Sequence, residues 1–198
     1  MAPTLSTIQS RPVAVLGAGV LGRRIACTWA AGGWDVRIRD PSAEQRTAAL
    51  HYVETNITIY AAAIGCTSTG KVSAFEDLAE TVKDAWTVIE AVPEKLSLKI
   101  ATFADLEKLA PNDAILVSNS SSYKSSEMLE KVGPDCRKRI MNTHYMMPPD
   151  NVVVELMTDG ETDTDIFPFY VERLKELGMH PIVAQKESTG FVDRKSVV

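Results

Sequence analysis

The chain of 198 residues carries a net charge of -5, and 45% of its residues are hydrophobic. This composition can build the core of one domain, while the acidic balance and the lack of a basic block exclude a nucleic-acid partner. Three separated cysteines, no run of membrane-spanning length and no leader-like N-terminus predict free thiols and a cytoplasmic protein with no membrane contact; a peroxisomal or mitochondrial address is the alternative.

Strand-like and helix-like segments alternate from the N-terminus onward. An apolar strand at 12–17, a helical pattern at 20–33 and an alternating strand at 34–40 predict a β-α-β unit. The alternation continues with helix 42–65, strand 86–92, helix 94–110, strand 114–120, strands 139–146 and 151–157, helix 162–178 and strand 180–186. The pattern predicts a Rossmann-like α/β fold, with a doubly wound, mostly parallel sheet and helices on both faces.

The turn between the first strand and the first helix reads GAGVLG and matches the G-x-G-x-x-G pattern. Gly17 permits the tight turn, Gly19 lets the backbone approach a pyrophosphate, and Gly22 lets the helix pack closely on the sheet. Val20 and Leu21 begin the helix, whose N-terminus offers unpaired N–H groups to an anion. The turn therefore predicts dinucleotide binding, against the alternative of a purely structural turn.

An acidic residue, Asp40, closes the second strand about 20 residues after the turn, where a carboxylate accepts hydrogen bonds from the adenosine ribose hydroxyls. A carboxylate at this position repels a 2′-phosphate, so NAD is predicted rather than NADP. The flanking Arg37 and Arg39 leave NADP open as an alternative.

Two further polar groups follow predicted strands. Glu94 and Lys99 lie beyond the strand 86–92, at the carboxyl edge of the sheet, where ligands bind in open α/β folds. The alternative is a helix-start acid and a solvated lysine. The run VSNSSSY supplies several hydroxyls after the next strand, which are either site residues or a simple helix cap.

The motifs GAGVLG, EAVPEKLSLK, SNSSS, the histidine of MNTHYMM and ESTGF occur in a specific order. Together they resemble the NAD-binding domain of the L-3-hydroxyacyl-CoA dehydrogenase family, which includes L-gulonate 3-dehydrogenase (lambda-crystallin). The resemblance covers residues 12–192. It implies NAD as cofactor, with Glu94 and Lys99 among its contacts. It also implies that a small-molecule 3-hydroxyacyl substrate and its 3-keto form are interconverted by hydride transfer to and from NAD, as in fatty acid metabolism.

The same resemblance implies a domain organisation. Residues 11–190 would form the NAD-binding domain, 1–10 a tail and 191–198 a truncated linker, with the helical C-terminal domain of the family absent. The face that this helical domain covers in relatives would then be exposed. We therefore expect a homo-oligomer or a partner that covers this face.

By resemblance, His144 takes the position of the catalytic base, Glu155 that of the residue orienting it, and Ser121 that of the serine that bonds the substrate oxygen. An imidazole, with an ordinary pKa of about 6.5, accepts a hydroxyl proton near neutral pH. A carboxylate on the second ring nitrogen fixes the tautomer and stabilises the imidazolium. The alternative is a hydrogen-bonded core histidine.

Several residues depart from the family pattern. Met147 and Asp193 stand where the family has asparagines, and His144 and Glu155 are one residue closer in sequence than usual. The helix at 42–65 lacks the lysines that meet coenzyme A phosphates in relatives. Two alternatives therefore stay open: a dehydrogenase of a small hydroxy acid such as L-gulonate, and a non-catalytic NAD-binding remnant. No metal site is predicted.

Overall fold

One sheet runs through the protein in a computed structural model that describes residues 3–184 and residue 187. Its strands are β1 (Val13–Leu16), β2 (Val36–Arg39), β3 (Val72–Phe75), β4 (Thr87–Glu90), β5 (Ile115–Ser118), β6 (Ile140–Met147), β7 (Asn151–Met157) and β8 (His180–Ala184). The strand order is β3-β2-β1-β4-β5-β6-β7-β8. Neighbouring strands are parallel except for the antiparallel pair β6–β7. The predicted doubly wound, mostly parallel sheet is therefore confirmed.

Helices connect most of these strands. They are α1 (Leu5–Ile8), α2 (Val20–Ala31), α3 (Ala43–Ala63), α4 (Leu78–Val82), α5 (Leu96–Leu109), α6 (Ser125–Met128), α7 (Pro134–Arg137) and α8 (Ile166–Glu176). Five elements have no counterpart among the predicted segments: the strand β3 and the short helices α1, α4, α6 and α7. As an edge strand, β3 is only partly covered, with Ser73 exposed, so it lacks the continuous apolar run that marks the central strands.

The two faces of the sheet bury separate cores, because side chains alternate along each strand. On β1, Val13 and Val15 face a core that includes residues of α2 and α8. Ala14 and Leu16 face a second core, built with α4, α5 and α6. Burial on both faces explains why the central strands are almost wholly apolar.

The N-terminal segment, expected to be a tail, contributes to the core. It includes the helical turn α1, whose Ile8 is fully buried among residues of the α2 and α8 face. Arg11 follows and forms a two-pronged ion pair with Asp113, with nitrogen–oxygen distances of 2.6 and 2.9 Å. The apolar face of a single short turn is too weak a pattern to identify from sequence.

Some of the predicted sequence features lie on residues outside the described part of the chain. These are residues 185–186 and 188–198, which hold most of the ESTGF motif, Asp193 and the predicted linker 191–198. Within the described residues, no helix combines the length and apolar character that membrane crossing requires. The three cysteines are unpaired, as predicted, and burial raises the pKa of the Cys27 thiol to about 12.

Truncating Ile8 tests whether the N-terminal segment belongs to the domain. We expect Ile8→Ala to lower the free energy of unfolding by about 2–5 kcal/mol, the usual cost of emptying an isoleucine site in a core. Its neighbour Leu5 is 46% exposed, so Leu5→Ala is the matched control and should change stability by less than about 0.5 kcal/mol. Urea denaturation measures both, and equal small effects would restore the tail interpretation.

Candidate active site

The three glycines of the first turn differ in what an added Cβ would meet. Gly17 has a φ of +103°, and a Cβ there would collide with the carbonyl of Ala91 after β4. A Cβ at Gly22 would collide with the carbonyl of Gly17, so close helix packing depends on its absence. A Cβ at Gly19 would meet nothing within 4 Å. The space beside Gly19 is therefore open to a ligand.

The residues of this turn line a cleft of about 540 Å³. Gly17, Gly19, Val20, Leu21 and Gly22 all contribute to its wall, and Asp40 closes it on the side of β2. Because α2 begins at Val20, the first N–H groups of the helix lie at this cleft. An open glycine, a helix N-terminus and a carboxylate together fit a dinucleotide.

Asp40 is held in place by backbone groups. Its Oδ2 accepts a hydrogen bond of 2.9 Å from the N–H of Ala18, and its Oδ1 accepts one of 2.9 Å from the N–H of Ser42. Two N–H donors leave carboxylate lone pairs for ribose hydroxyls, since an ionised carboxylate has about four acceptor sites.

The arginines beside Asp40 are bound elsewhere. Arg37 donates to the carbonyls of Glu80 and Lys83, at 3.1 and 2.6 Å, and Arg39 donates to the carbonyl of Glu76 at 3.0 Å. Their placement agrees with NAD rather than NADP.

Glu94 and Lys99 are brought together, but only Glu94 reaches the surface. Lys99 is 1% exposed, and its Nζ lies 2.8 Å from Oε1 of Glu90 and 3.1 Å from Oε2 of Glu94. The Glu94 side chain is 39% exposed and follows Pro93, which lines the cleft. Glu90, a carboxylate that was not predicted, holds the Lys99 ammonium beneath the cleft. The burial of Lys99 does not fit the direct cofactor contact that was predicted for it.

Glu90 ends the central strand β4 and is completely buried. Besides Lys99, it accepts hydrogen bonds from the hydroxyl of Ser118, at 2.6 Å, and from the N–H of Val92, at 2.8 Å. An acid at the end of an apolar strand, with a lysine on the following helix, is the signal that could have identified it.

Residues 119–123, here called the serine loop, lie against Glu94. Ser120 donates its hydroxyl to Oε1 of Glu94, and Ser122 donates its N–H to the same oxygen at 3.1 Å. Burial raises the pKa of Glu94, but the Ser120 hydrogen bond and the Lys99 charge outweigh it, so this pKa lies below its ordinary value. Ser121 is half-buried between these two contacts.

The serine loop is also held from the side of β6. The Asn119 side chain accepts a hydrogen bond of 2.8 Å from the N–H of Tyr145. Asn142 donates its side-chain amide to the carbonyls of Ser120 and Tyr123, at 3.4 and 3.2 Å. Asn119 and Ser120 were predicted only as members of the run VSNSSSY, and Asn142 was not predicted, because these roles depend on contacts between distant segments.

His144 and Glu155 face each other across the antiparallel pair β6–β7. Nδ1 of His144 lies 3.1 Å from Oε2 of Glu155, whose side chain is 2% exposed. The other oxygen, Oε1, has no hydrogen-bond partner within the described part of the chain. The pairing of β6 with β7 shifts register between Tyr145 and Met147, which lies beyond the His144–Glu155 pair.

The cofactor cleft and the histidine lie at the same edge of the sheet. Leu16, Glu90, Ser118 and Asn142 are paired in one row across β1, β4, β5 and β6. The glycine turn, the Glu94 loop and the serine loop follow the first three strands, and His144 lies two residues beyond the row. At a strand spacing of about 4.8 Å, β2 and β6 are about 19 Å apart. The predicted residues therefore lie along one edge of the sheet.

Comparison with known proteins identifies the family. The family model described as 3-hydroxyacyl-CoA dehydrogenase, NAD binding domain, matches residues 12–188. The chain belongs to this family. The resemblance and the cofactor NAD, both expected from sequence, are confirmed for this NAD-binding domain.

Individual relatives differ in their named activities. The chain is 30% identical over 179 residues to an L-carnitine dehydrogenase/betainyl-CoA thioesterase of Ruegeria pomeroyi, covering 88% of this chain and 36% of the relative. It is 31% identical over 192 residues to a lambda-crystallin homolog of Homo sapiens, covering 91% of this chain and 58% of the relative. Among solved structures, a diketoreductase acting on dicarbonyl compounds aligns with a TM-score of 0.84 and 32% identity, covering 94% of this chain and 68% of the other. The chain thus spans less than two thirds of the two curated relatives.

No group of three or more histidine, cysteine, aspartate or glutamate side chains that could hold a metal ion occurs in residues 3–184 and 187.

Replacing Gly19 tests the cofactor cleft. The added Cβ of Gly19→Ala has no neighbour within 4 Å, so the fold should be unchanged. We expect the affinity for NADH to fall about tenfold or more, because the methyl group occupies the space through which the pyrophosphate approaches the backbone. Calorimetric titration with NADH measures the effect, and wild-type affinity in this variant would contradict the cofactor assignment.

The counterpart Gly22→Ala separates binding from folding. Its Cβ collides with the Gly17 carbonyl, so we expect stability to fall by about 1–3 kcal/mol, the usual cost of overpacking. Thermal melting of both variants shows whether the two glycines differ as their surroundings require.

Proposed function

We propose that the chain is the NAD-binding domain of a dehydrogenase that interconverts a 3-hydroxyacyl substrate and its 3-keto form, with His144 as the general base. The observation that carries this proposal is the 3.1 Å contact between Nδ1 of His144 and Oε2 of the buried Glu155. A histidine paired with a buried carboxylate is the arrangement that alcohol oxidation needs, because a proton must leave the hydroxyl group.

In this proposal the two ring nitrogens have different tasks. Nδ1 donates its hydrogen to Glu155, which fixes the ring and favours the imidazolium as it forms. Nε2 is the nitrogen that we assign to the substrate hydroxyl. NAD, when bound in the cleft, accepts the hydride from the alcohol carbon. Burial of Glu155 strengthens its attraction for the imidazolium, because water does not screen it.

Other residues serve binding. The Gly17–Gly22 turn and the α2 N-terminus hold the pyrophosphate, and Asp40 accepts from the adenosine ribose. Glu94, farther along the same edge, accepts from the second ribose. Ser121 donates to the substrate oxygen; the support for this role is its place in the serine loop between β5 and β6.

A small hydroxy acid is the second candidate substrate. In this chain α3 carries no lysine, and its Arg46 donates to the carbonyls of Asp40 and Pro41 and to the carboxylate of Glu76. Coenzyme A phosphates would find little positive charge on this helix. The names of the L-carnitine dehydrogenase and diketoreductase relatives also favour small substrates.

Two expectations stay predictions. Met147 and Val152, on either side of the β6–β7 turn, are exposed large hydrophobic residues, which is compatible with the expected second copy or covering partner. Light scattering of the purified chain measures its assembly. The cytoplasmic location also stays a prediction.

Replacing His144 tests the general base. We expect His144→Gln to lower kcat about 100- to 10,000-fold, the usual contribution of a general base, with NADH affinity unchanged. Glu155→Gln should lower kcat less, because the ring remains but its orienting charge is lost. The exposed His180 on β8 provides the control His180→Gln, with wild-type kinetics.

Steady-state kinetics with 3-keto substrates and calorimetry with NADH measure these changes. Wild-type turnover in His144→Gln would contradict the assignment. NADH binding without turnover of any 3-keto substrate would support the non-catalytic remnant instead.

A matched pair of substrates tests the second candidate. Acetoacetate and acetoacetyl-CoA share the 3-keto group and differ in the coenzyme A portion. If the nucleotide finds no cation on α3, the two KM values should agree within about threefold. A KM for acetoacetyl-CoA lower by about tenfold or more would instead show that the protein binds the nucleotide portion.

A further inference from the structure

We propose that the buried ion pair of Glu90 and Lys99 is a positioning device that holds Glu94 in place for the cofactor. The inference rests on the proposed contact of Glu94 with NAD. It assigns a role to Glu90, which is not one of the predicted site residues. It also changes the role of Lys99 from contacting the cofactor to positioning Glu94.

The contacts of Lys99 make it the link between the two glutamates. An ammonium group has three hydrogens to donate. Its Nζ lies 2.8 and 3.1 Å from the two oxygens of Glu90 and 3.1 Å from Oε2 of Glu94. The side chains of Lys99 and Glu90 are 1% and 0% exposed, so water does not compete for these bonds.

Glu90 in turn determines where the ammonium lies. Its carboxylate is fixed by Ser118 at the end of β5 and by the N–H of Val92 in its own loop. Through Glu90, the cation is therefore fixed to strand ends of the sheet. Because Lys99 also contacts Glu94, its fixed position determines where the Glu94 carboxylate lies on the loop after β4.

This arrangement controls both the position and the charge of Glu94. The charged group that faces Glu94 from α5 is Lys99, with Glu90 of β4 behind it, and the serine loop adds the Ser120 hydroxyl and the Ser122 N–H. Burial raises the pKa of Glu94, but Ser120 and Lys99 together lower it by more than burial raises it. The carboxyl therefore stays ionised at neutral pH. An ionised carboxylate is an acceptor only, which suits a contact with ribose hydroxyls.

The test removes the pair and leaves no lone buried charge. Glu90→Gln with Lys99→Met replaces both charges by neutral groups of similar size, and such replacements often preserve stability. The same double change is also made in a Glu94→Gln protein. If the Glu90–Lys99 pair acts through Glu94, removing the pair should change cofactor binding only in proteins that keep Glu94. A general structural effect of removing the pair should appear in both proteins.

The first readout needs no cofactor. The Ser122 N–H donates to Glu94, so its NMR chemical shift reports protonation of that carboxyl. In the wild type the folded pKa is depressed, and the shift should stay constant from about pH 7.5 to about pH 5. Lys99 lowers this pKa through both its charge and its hydrogen bond, so without it the pKa should rise and the resonance should begin to titrate within this range. In the Glu94→Gln protein it should not titrate.

The second readout is NADH affinity by calorimetry. We expect the double change to weaken binding about tenfold when Glu94 is present, the loss of one hydrogen bond to a charged group, and by less than about twofold in Glu94→Gln. The control Glu172→Gln with Lys175→Met makes the same chemical change in an exposed pair on α8 and should alter neither readout.

The outcomes separate this proposal from the cofactor proposal. Titration of the Ser122 resonance with an affinity loss confined to proteins that keep Glu94 supports the positioning role. A flat Ser122 resonance in the double variant, or equal affinity losses in both backgrounds, overturns it. A wild-type chain that binds no NADH would overturn the cofactor site, while the Ser122 resonance would still decide whether the pair governs Glu94.

Discussion

A single buried carboxylate imposes a constraint on the whole carboxyl edge of the sheet. Glu90 ends the central strand β4 without any exposure to water, and a charge in this position is stable only with partners. Lys99 supplies the opposite charge, while Ser118 and the N–H of Val92 supply hydrogen bonds. These partners come from α5, β5 and the loop after β4. Satisfying one charge therefore joins the elements that carry the Glu94 loop and the serine loop, and both loops border the path between the cofactor cleft and His144.

The fold was predictable where local pattern and burial coincide. β1, β4 and β5 are buried along their whole length, and their apolar runs marked them clearly in the sequence. The edge strand β3 escaped prediction, because its residues are only partly buried and need no apolar run. The N-terminal turn escaped for a related reason, since one buried residue, Ile8, forms no periodic pattern. What the sequence could not supply was the set of contacts that only the assembled sheet creates.

The candidate site shows the same contrast between local sequence patterns and contacts that only the assembled sheet creates. The glycine turn and Asp40 were predictable from spacing, because a strand, a tight turn and a helix N-terminus are local structures. His144 and Glu155 could be paired only by resemblance, since their contact depends on the antiparallel register of β6 and β7. Glu90 was not identified within its apolar strand, and Lys99 was predicted to contact the cofactor, with a solvated lysine as the alternative. Only the packing of α5 on the sheet brings them together, and the resulting burial of Lys99 argues against its direct contact with the cofactor.

The helix that receives the cofactor also holds the hairpin that carries the proposed base. Arg24, in the second turn of α2, donates a hydrogen bond of 2.8 Å to the carbonyl of Pro148 and pairs with Asp150 at 3.2 Å. Tyr60 of α3 donates to the same carbonyl at 2.9 Å. The β6–β7 turn is therefore fixed to the α2–α3 layer rather than left as a free loop. Since α2 begins at the glycine turn, a displacement of this helix would move the pyrophosphate end of the cleft and the His144–Glu155 pair together. In the proposed reaction, hydride passes between the substrate carbon and the nicotinamide. The base that positions the substrate and the turn that holds the cofactor must therefore keep a fixed spacing, and a shared helix is a direct physical means of keeping it.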